Sequence, residues 1–204
     1  MKKTVRVGAV IGLLMAAFTG HALAQNGAVN ALCSTDQGWC EMAAKEFTLK
    51  TGVQVNQTRK ATGEALAQLR AGAANPKTDI WWGGTGDPFL QAAEIGLLTP
   101  YRPDYLNDLH GWSVRQYAMT QNMVGGFYTS AVGFGWNTDL LKKKKLPAPQ
   151  CWADLIKPIY KGEVEISHPA SSGTAYTILA GLVQLMGEDA AFEYMKALNK
   201  NVPQ

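Results

Sequence analysis

Four stretches of the sequence set small or hydroxyl-bearing side chains immediately ahead of a helical pattern: Ser34-Thr35-Asp36, Ala61-Thr62-Gly63, Gly83-Gly84-Thr85-Gly86 and Ser171-Ser172-Gly173-Thr174. The chemistry such stretches offer is oxyanion binding. The first turn of a helix carries N–H groups without intrahelical partners, and its dipole favours negative charge. Hydroxyls add donors, and glycine lets a ligand approach the backbone closely. The candidate ligand-binding residues are therefore Ser34, Thr35, Thr62, Gly63, Gly84, Thr85, Ser171, Ser172, Gly173 and Thr174. His168, directly before Pro169, is a further candidate contact. Any one turn taken alone reads first as ordinary helix capping, and His168 reads first as a structural hydrogen-bonding residue. The functional reading rests on their recurrence at each strand-to-helix junction, because ligands of open α/β sheets collect beyond the carboxyl ends of the strands.

Catalytic constellations are poorly supported. The sequence holds no Gly-x-Ser-x-Gly elbow, no His-Glu-x-x-His and no lysine-bearing phosphate loop, and beyond residue 24 its histidines are His110 and His168. No catalytic residue is assigned. A secreted hydrolase or transferase built on the same anion-friendly turns stays as the rival class.

The elements that would position these turns alternate between short apolar runs and amphipathic ones, the pattern of helices on a largely parallel sheet. Strands are expected at Ala28 to Cys33, Val53 to Lys60 and Thr78 to Trp82. They alternate with helices at Asp36 to Lys50, stopped by Gly52, from Thr62 to near Asn75-Pro76, and at Phe89 to Leu98 behind Asp87-Pro88. Residues 99 to 125 read as irregular. Strand character resumes from Phe127 to Trp136 and at Glu163 to Ser167. Helices follow the Ser171 turn, as far as Gly187, and run from Asp189 to Lys200. Lys142 to Lys145 read as a solvated surface. Trp81 and Trp82 are adjacent, so they point to opposite faces of a strand, as core or as cleft wall.

Residues 1 to 24 set Lys2, Lys3 and Arg6 before an apolar run and end in Ala22-Leu23-Ala24, the signature of a cleaved signal peptide. The chain's 19 basic residues include those three, so 16 remain against 16 Asp and Glu. Bulk charge thus gives no case for nucleic-acid binding. Export implies an oxidising compartment, in which Cys33, Cys40 and Cys151 allow three pairings with one thiol left over. Cys33 with Cys40 is the local option, a staple across the first strand-to-helix turn. The sequence stops at Gln204 without tail character, and we expect a piece of a longer protein.

Several of these stretches carry a resemblance: Asp79 to Asp87 with Asp-Ile-Trp-Trp-Gly-Gly, the hinge-like Tyr128 to Leu141 with Gly-Phe-Gly-Trp-Asn-Thr-Asp-Leu-Leu, Pro149 to Gly162 with Trp152-Ala-Asp-Leu155 and Tyr160-Lys-Gly162, and His168 through Thr174. Together, and in this order, they resemble the extracellular solute-binding proteins of the ferric-iron and sugar-phosphate importer cluster. The resemblance implies an α/β fold of the type II periplasmic-binding-protein kind, two lobes with mixed, largely parallel sheets around a cleft, its C-terminal part lying outside this chain. Residues 25–126 would form most of lobe 1, and residues 127–204 the hinge crossing and the first part of lobe 2. It implies a monomeric periplasmic receptor, not an enzyme, that closes on a small anionic solute and delivers it to an inner-membrane ABC permease. A phosphorylated sugar or similar oxyanion is the leading solute and ferric iron the alternative. Ferric-binding relatives draw a tyrosine pair from later in the chain, so the metal question stays open. The resemblance also sets the four turns in the cleft.

Overall fold

The computed structural model describes residues 27–203; the expected signal peptide lies outside them. Strand β1 (Ala28–Cys33) is central in a three-stranded parallel sheet of order β2-β1-β3, flanked by β2 (Gln54–Arg59) and β3 (Ile80–Trp82). The register pairs Cys33 with Arg59 on one side and with Trp82 on the other. All three strands therefore end on one edge, and the turns that follow start there. At the opposite end, one Asp79 carboxylate oxygen accepts both the backbone N–H of Asn30, at 2.8 Å, and its side-chain amide.

Three helices alternate with these strands: α1 (Gln37–Thr51), α2 (Thr62–Ala71) and α3 (Gly86–Glu94). Gly52 ends α1 in the left-handed conformation, its N–H donating to the Thr48 carbonyl. Ala31, Leu32 and Cys33 are buried with Cys40 of α1, Ala65 and Leu66 of α2 and Ala92 of α3. A disulfide joins Cys33 to Cys40, and Cys151 is a free, exposed thiol.

The stretch read as irregular contains a helix, α4 (Gly111–Met119). Its Tyr117 and Trp112 rings press on Gly125 and Gly126 so closely that a Cβ on either glycine would overlap them, and Ser113 donates to the Gly126 carbonyl. Beyond this point the expected strands from Phe127 to Trp136 and from Glu163 to Ser167 form no ladder among the described residues. Strand composition needs a neighbour to pair with, and here none lies alongside. Instead Phe134, Trp136, Trp152 and Ile166 help to line a hollow of about 660 Å³.

Three helices complete the chain: α5 (Thr138–Lys144), capped by Asn137, then α6 (Gly173–Met186) and α7 (Glu188–Asn199). Leu182 of α6 packs with Ala191, Tyr194 and Leu198 of α7 as a second apolar centre. The Tyr194 hydroxyl donates to the Trp152 carbonyl at 2.7 Å, and burial pushes its pKa up to about 12. The lysine run lies on α5 and is exposed; Lys144 pairs with Glu163 at 2.6 Å. Lys157, with the Gln150 N–H in support, holds the Asp154 carboxyl down at about 2.

Candidate functional site

The four turns meet. Three follow directly from the parallel sheet, since β1, β2 and β3 end side by side. The fourth reaches them from 87 residues beyond Gly84 in the sequence, at Ser171. Thr62, almost fully buried, is the junction. A Cβ on Gly84 would overlap its Oγ1, and a Cβ on Gly173 would lie 2.7 Å from the same oxygen. The Gly63 N–H donates to the Ser171 carbonyl at 3.0 Å, and a Cβ on Gly63 would overlap the Ala170 carbonyl. Glycine at 63, 84 and 173 is thus a requirement of close approach, and Gly84 also sits at φ +90°.

Each strand-to-helix turn is braced from behind. The Ser34 N–H donates to the Trp82 carbonyl and its Oγ accepts the Trp81 indole N–H, both at 2.9 Å. The Thr35 carbonyl accepts Arg59 Nε at 2.8 Å, and Thr35 packs on Gly83, where a Cβ would lie 2.9 Å from its own. Trp81 stacks on Phe89 of α3, ring centroids 3.7 Å apart, whereas Trp82 turns towards Phe127.

Capping differs from the expectation in a way that matters for ligands. Thr62 is the first residue of α2 and Ala61 its cap, while α3 opens at Gly86 behind Thr85, not at Asp87-Pro88. Neither Asp36, Ala61 nor Thr85 makes a side-chain cap bond, so the starts of α1, α2 and α3 keep first-turn N–H groups without side-chain acceptors. Thr62 and Thr85 aim their hydroxyls at Gly173 instead of at their own helices. Thr85 Oγ1 is buried there with no hydrogen-bond partner, an arrangement that costs about 1–3 kcal/mol until something bonds to it.

On the fourth turn Ser172 does cap α6, accepting the Ala175 N–H at 3.3 Å, and Ser171 Oγ donates to the His168 carbonyl at 3.1 Å. Thr174 and His168 are exposed at its rim. His168 Nδ1 accepts the Ala170 N–H at 3.1 Å, so the ring braces its own turn. Beside the junction a pocket of about 470 Å³ opens between α2 and α3, with Arg70, Asp87, Glu94 and Tyr176 on its walls. Among the described residues no group of three His, Cys, Asp or Glu side chains comes together. What the sequence did not show is the contact of Tyr128, the first residue of the hinge-like stretch, with Gly84, or that of Arg59 with Thr35; both are made to backbone atoms distant in sequence and leave no spacing signal.

Residues 75–204 match the family pattern described as bacterial extracellular solute-binding protein. The chain belongs to that family. It is a family of extracytoplasmic binding proteins, not of enzymes, with the type II periplasmic-binding fold. Among solved structures, the periplasmic binding protein P5PA is 37% identical with a TM-score of 0.83, the match covering 87% of this chain and 57% of that one. The periplasmic binding protein AfuA from Actinobacillus pleuropneumoniae, solved with exogenous fructose-6-phosphate bound, is 41% identical with a TM-score of 0.76, over 87% and 56%. A Salmonella typhimurium periplasmic protein, provisionally named for 2-aminoethylphosphonate binding, is 27% identical over 85% of this solute-binding-family chain and 48% of its own. The chain spans about half the length of the curated relatives it matches.

Proposed function

We propose that the protein is the substrate-binding component of an ABC importer, capturing a small phosphorylated or phosphonate solute in the periplasm and delivering it to a membrane permease. Residues 25–126 act as most of one lobe, and residues 127–204 as the crossing and the start of the other. The observation that carries this reading is the junction at Thr62, where helix starts from both sides of the crossing abut Gly84 and Gly173. Capless first-turn N–H groups, the partnerless Thr85 hydroxyl and the Thr35 and Thr62 hydroxyls supply neutral donors for a tetrahedral oxyanion, and Ser171 joins them by exchanging its bond to the His168 carbonyl. His168, Ser34, Gly63, Ser172 and Thr174 complete the candidate set. The solute enters by separation of the fourth turn from the other three, exchanging contacts such as Gly63 to Ser171 for its own oxygens, and the lobes then close over it.

The fructose-6-phosphate of one relative and the phosphonate in another's name fit this donor set better than ferric iron, which takes anionic oxygen ligands. Titration calorimetry on the full-length protein with fructose 6-phosphate, 2-aminoethylphosphonate, inorganic phosphate and ferric citrate tests the reading. We expect saturable one-to-one binding of a phosphorus oxyanion without turnover. Binding of ferric citrate alone favours the iron importer, and release of inorganic phosphate from the ester favours the enzyme.

A further inference from the structure

The geometry points to Tyr128 as the residue that couples the crossing between lobes to the binding turns, a positioning role that rests on the solute-binding reading above. Tyr128 lies two residues beyond the Gly125-Gly126 pair, at the start of the segment that leaves the first lobe. Its hydroxyl closes on a single residue of the third turn from both sides, accepting the Gly84 N–H at 2.8 Å and donating to the Gly84 carbonyl at 3.2 Å.

Its ring is fixed independently. It meets Trp39 of α1 edge-on at 5.6 Å and Phe127 at 4.9 Å, and Phe127 in turn contacts Trp82 at the end of β3. Trp39 of the first lobe, and Phe127 leaning on Trp82, therefore set where the hydroxyl can be, and the hydroxyl sets where Gly84 can be. Gly84 is the hinge-side half of the Thr62 junction, held at φ +90° with its other face against Thr62 and Ser34. The residue after it, Thr85, directs its partnerless Oγ1 at Gly173. When the crossing segment swings, Tyr128 moves with it and the clasp opens. The third turn then loses the only side-chain hydrogen-bond anchor it has among the described residues, and Thr85 loses its aim. The third turn thereby keeps the shape that aims Thr85 only while the clasp is closed, whether or not the fourth turn has separated to admit the solute.

Tyr128→Phe keeps the aromatic packing and removes the clasp alone. In the full-length protein without solute, amide hydrogen exchange at Gly84 is expected to rise about tenfold, with exchange in β1 and the melting temperature unchanged; a merely structural role would move all three together. Affinity for fructose 6-phosphate should weaken by about three- to tenfold as the third turn loses both bonds of the clasp, and mainly through faster dissociation. Tyr128→Ala should abolish the packing too and lower the melting temperature. Unchanged Gly84 exchange in Tyr128→Phe, or an affinity within twofold of wild type, overturns the coupling. If wild-type protein binds neither fructose 6-phosphate nor inorganic phosphate, it is the solute reading that fails, and Gly84 exchange still decides whether the clasp exists.

Discussion

Replacing both Cys33 and Cys40 by alanine should destabilise the protein by roughly 3–4 kcal/mol. The bond closes a ring with a sequence separation of 7, for which the chain-entropy relation gives about 2.4 kcal/mol at 25 °C. Both residues have no exposed surface, so deleting two packed sulfurs adds on the order of 1 kcal/mol. With a urea dependence of about 2 kcal/mol per molar, the unfolding midpoint should fall by about 1.5–2 M. Reduction of the wild-type protein keeps the sulfurs and should show the entropic part alone, about 1.2 M. Because the ring encloses Ser34 and Thr35, amide exchange at those two residues should rise more than anywhere else in the first lobe. A midpoint lowered by less than about 0.4 M in the double variant would refute the reasoning, and equal shifts for reduction and substitution would remove the packing part.

Gly173→Ala sets a methyl group onto Thr85 Oγ1 and close to Thr62; we expect about 1–3 kcal/mol of destabilisation by overpacking and loss of solute binding in calorimetry, whereas Gly181→Ala inside the same helix, with open space around it, should leave binding unchanged and raise stability by about 0.5–1 kcal/mol. Thr85→Val removes an oxygen that has no protein partner, so the solute-free protein should be as stable as wild type or slightly more so in urea, while phosphate-ester affinity falls about fivefold or more. On acidification, the Asp154 contacts contribute to stability in full above its unfolded value near 3.8, and that contribution is lost as pH falls through about 2. An NMR titration of the Asp154 carboxyl should find its midpoint there, and in Lys157→Met it should move up towards 3.8.

From Ala28 to Glu94 the order of elements was legible because local periodicity sets it: β1 spans the expected residues, and α1 stops at Gly52, which takes the left-handed conformation there. The ends were less so, since α2 stops at Ala71 and α3 runs from Gly86 to Glu94, short of the expected Leu98. The expectation failed where tertiary partners decide. Phe127 to Trp136 and Glu163 to Ser167 carry strand composition yet lack neighbours to pair with, and α4 was hidden by Gly111 at its start and by an exposed, weakly patterned surface. Of the candidate site, the residue types were visible but their meeting was not. Nothing in the spacing from Thr62 to Gly173 says that a threonine oxygen fills the space a side chain would need. The clasp of Tyr128 was invisible for the same reason: the hinge-like stretch it opens could be read, but its contact is with two backbone atoms 44 residues away.

The two glycines beneath Tyr117 and Trp112 impose an exclusion of their own. With aromatic rings filling the room for side chains on both, residue 126 can grow only if residue 112 shrinks and the Gln116 side chain swings away, and residue 125 only if residue 117 shrinks. Each position and its ring should therefore tolerate change as matched pairs. A library varying all four together should return size-compensated combinations, with alanine at 126 accompanied by something smaller than tryptophan at 112.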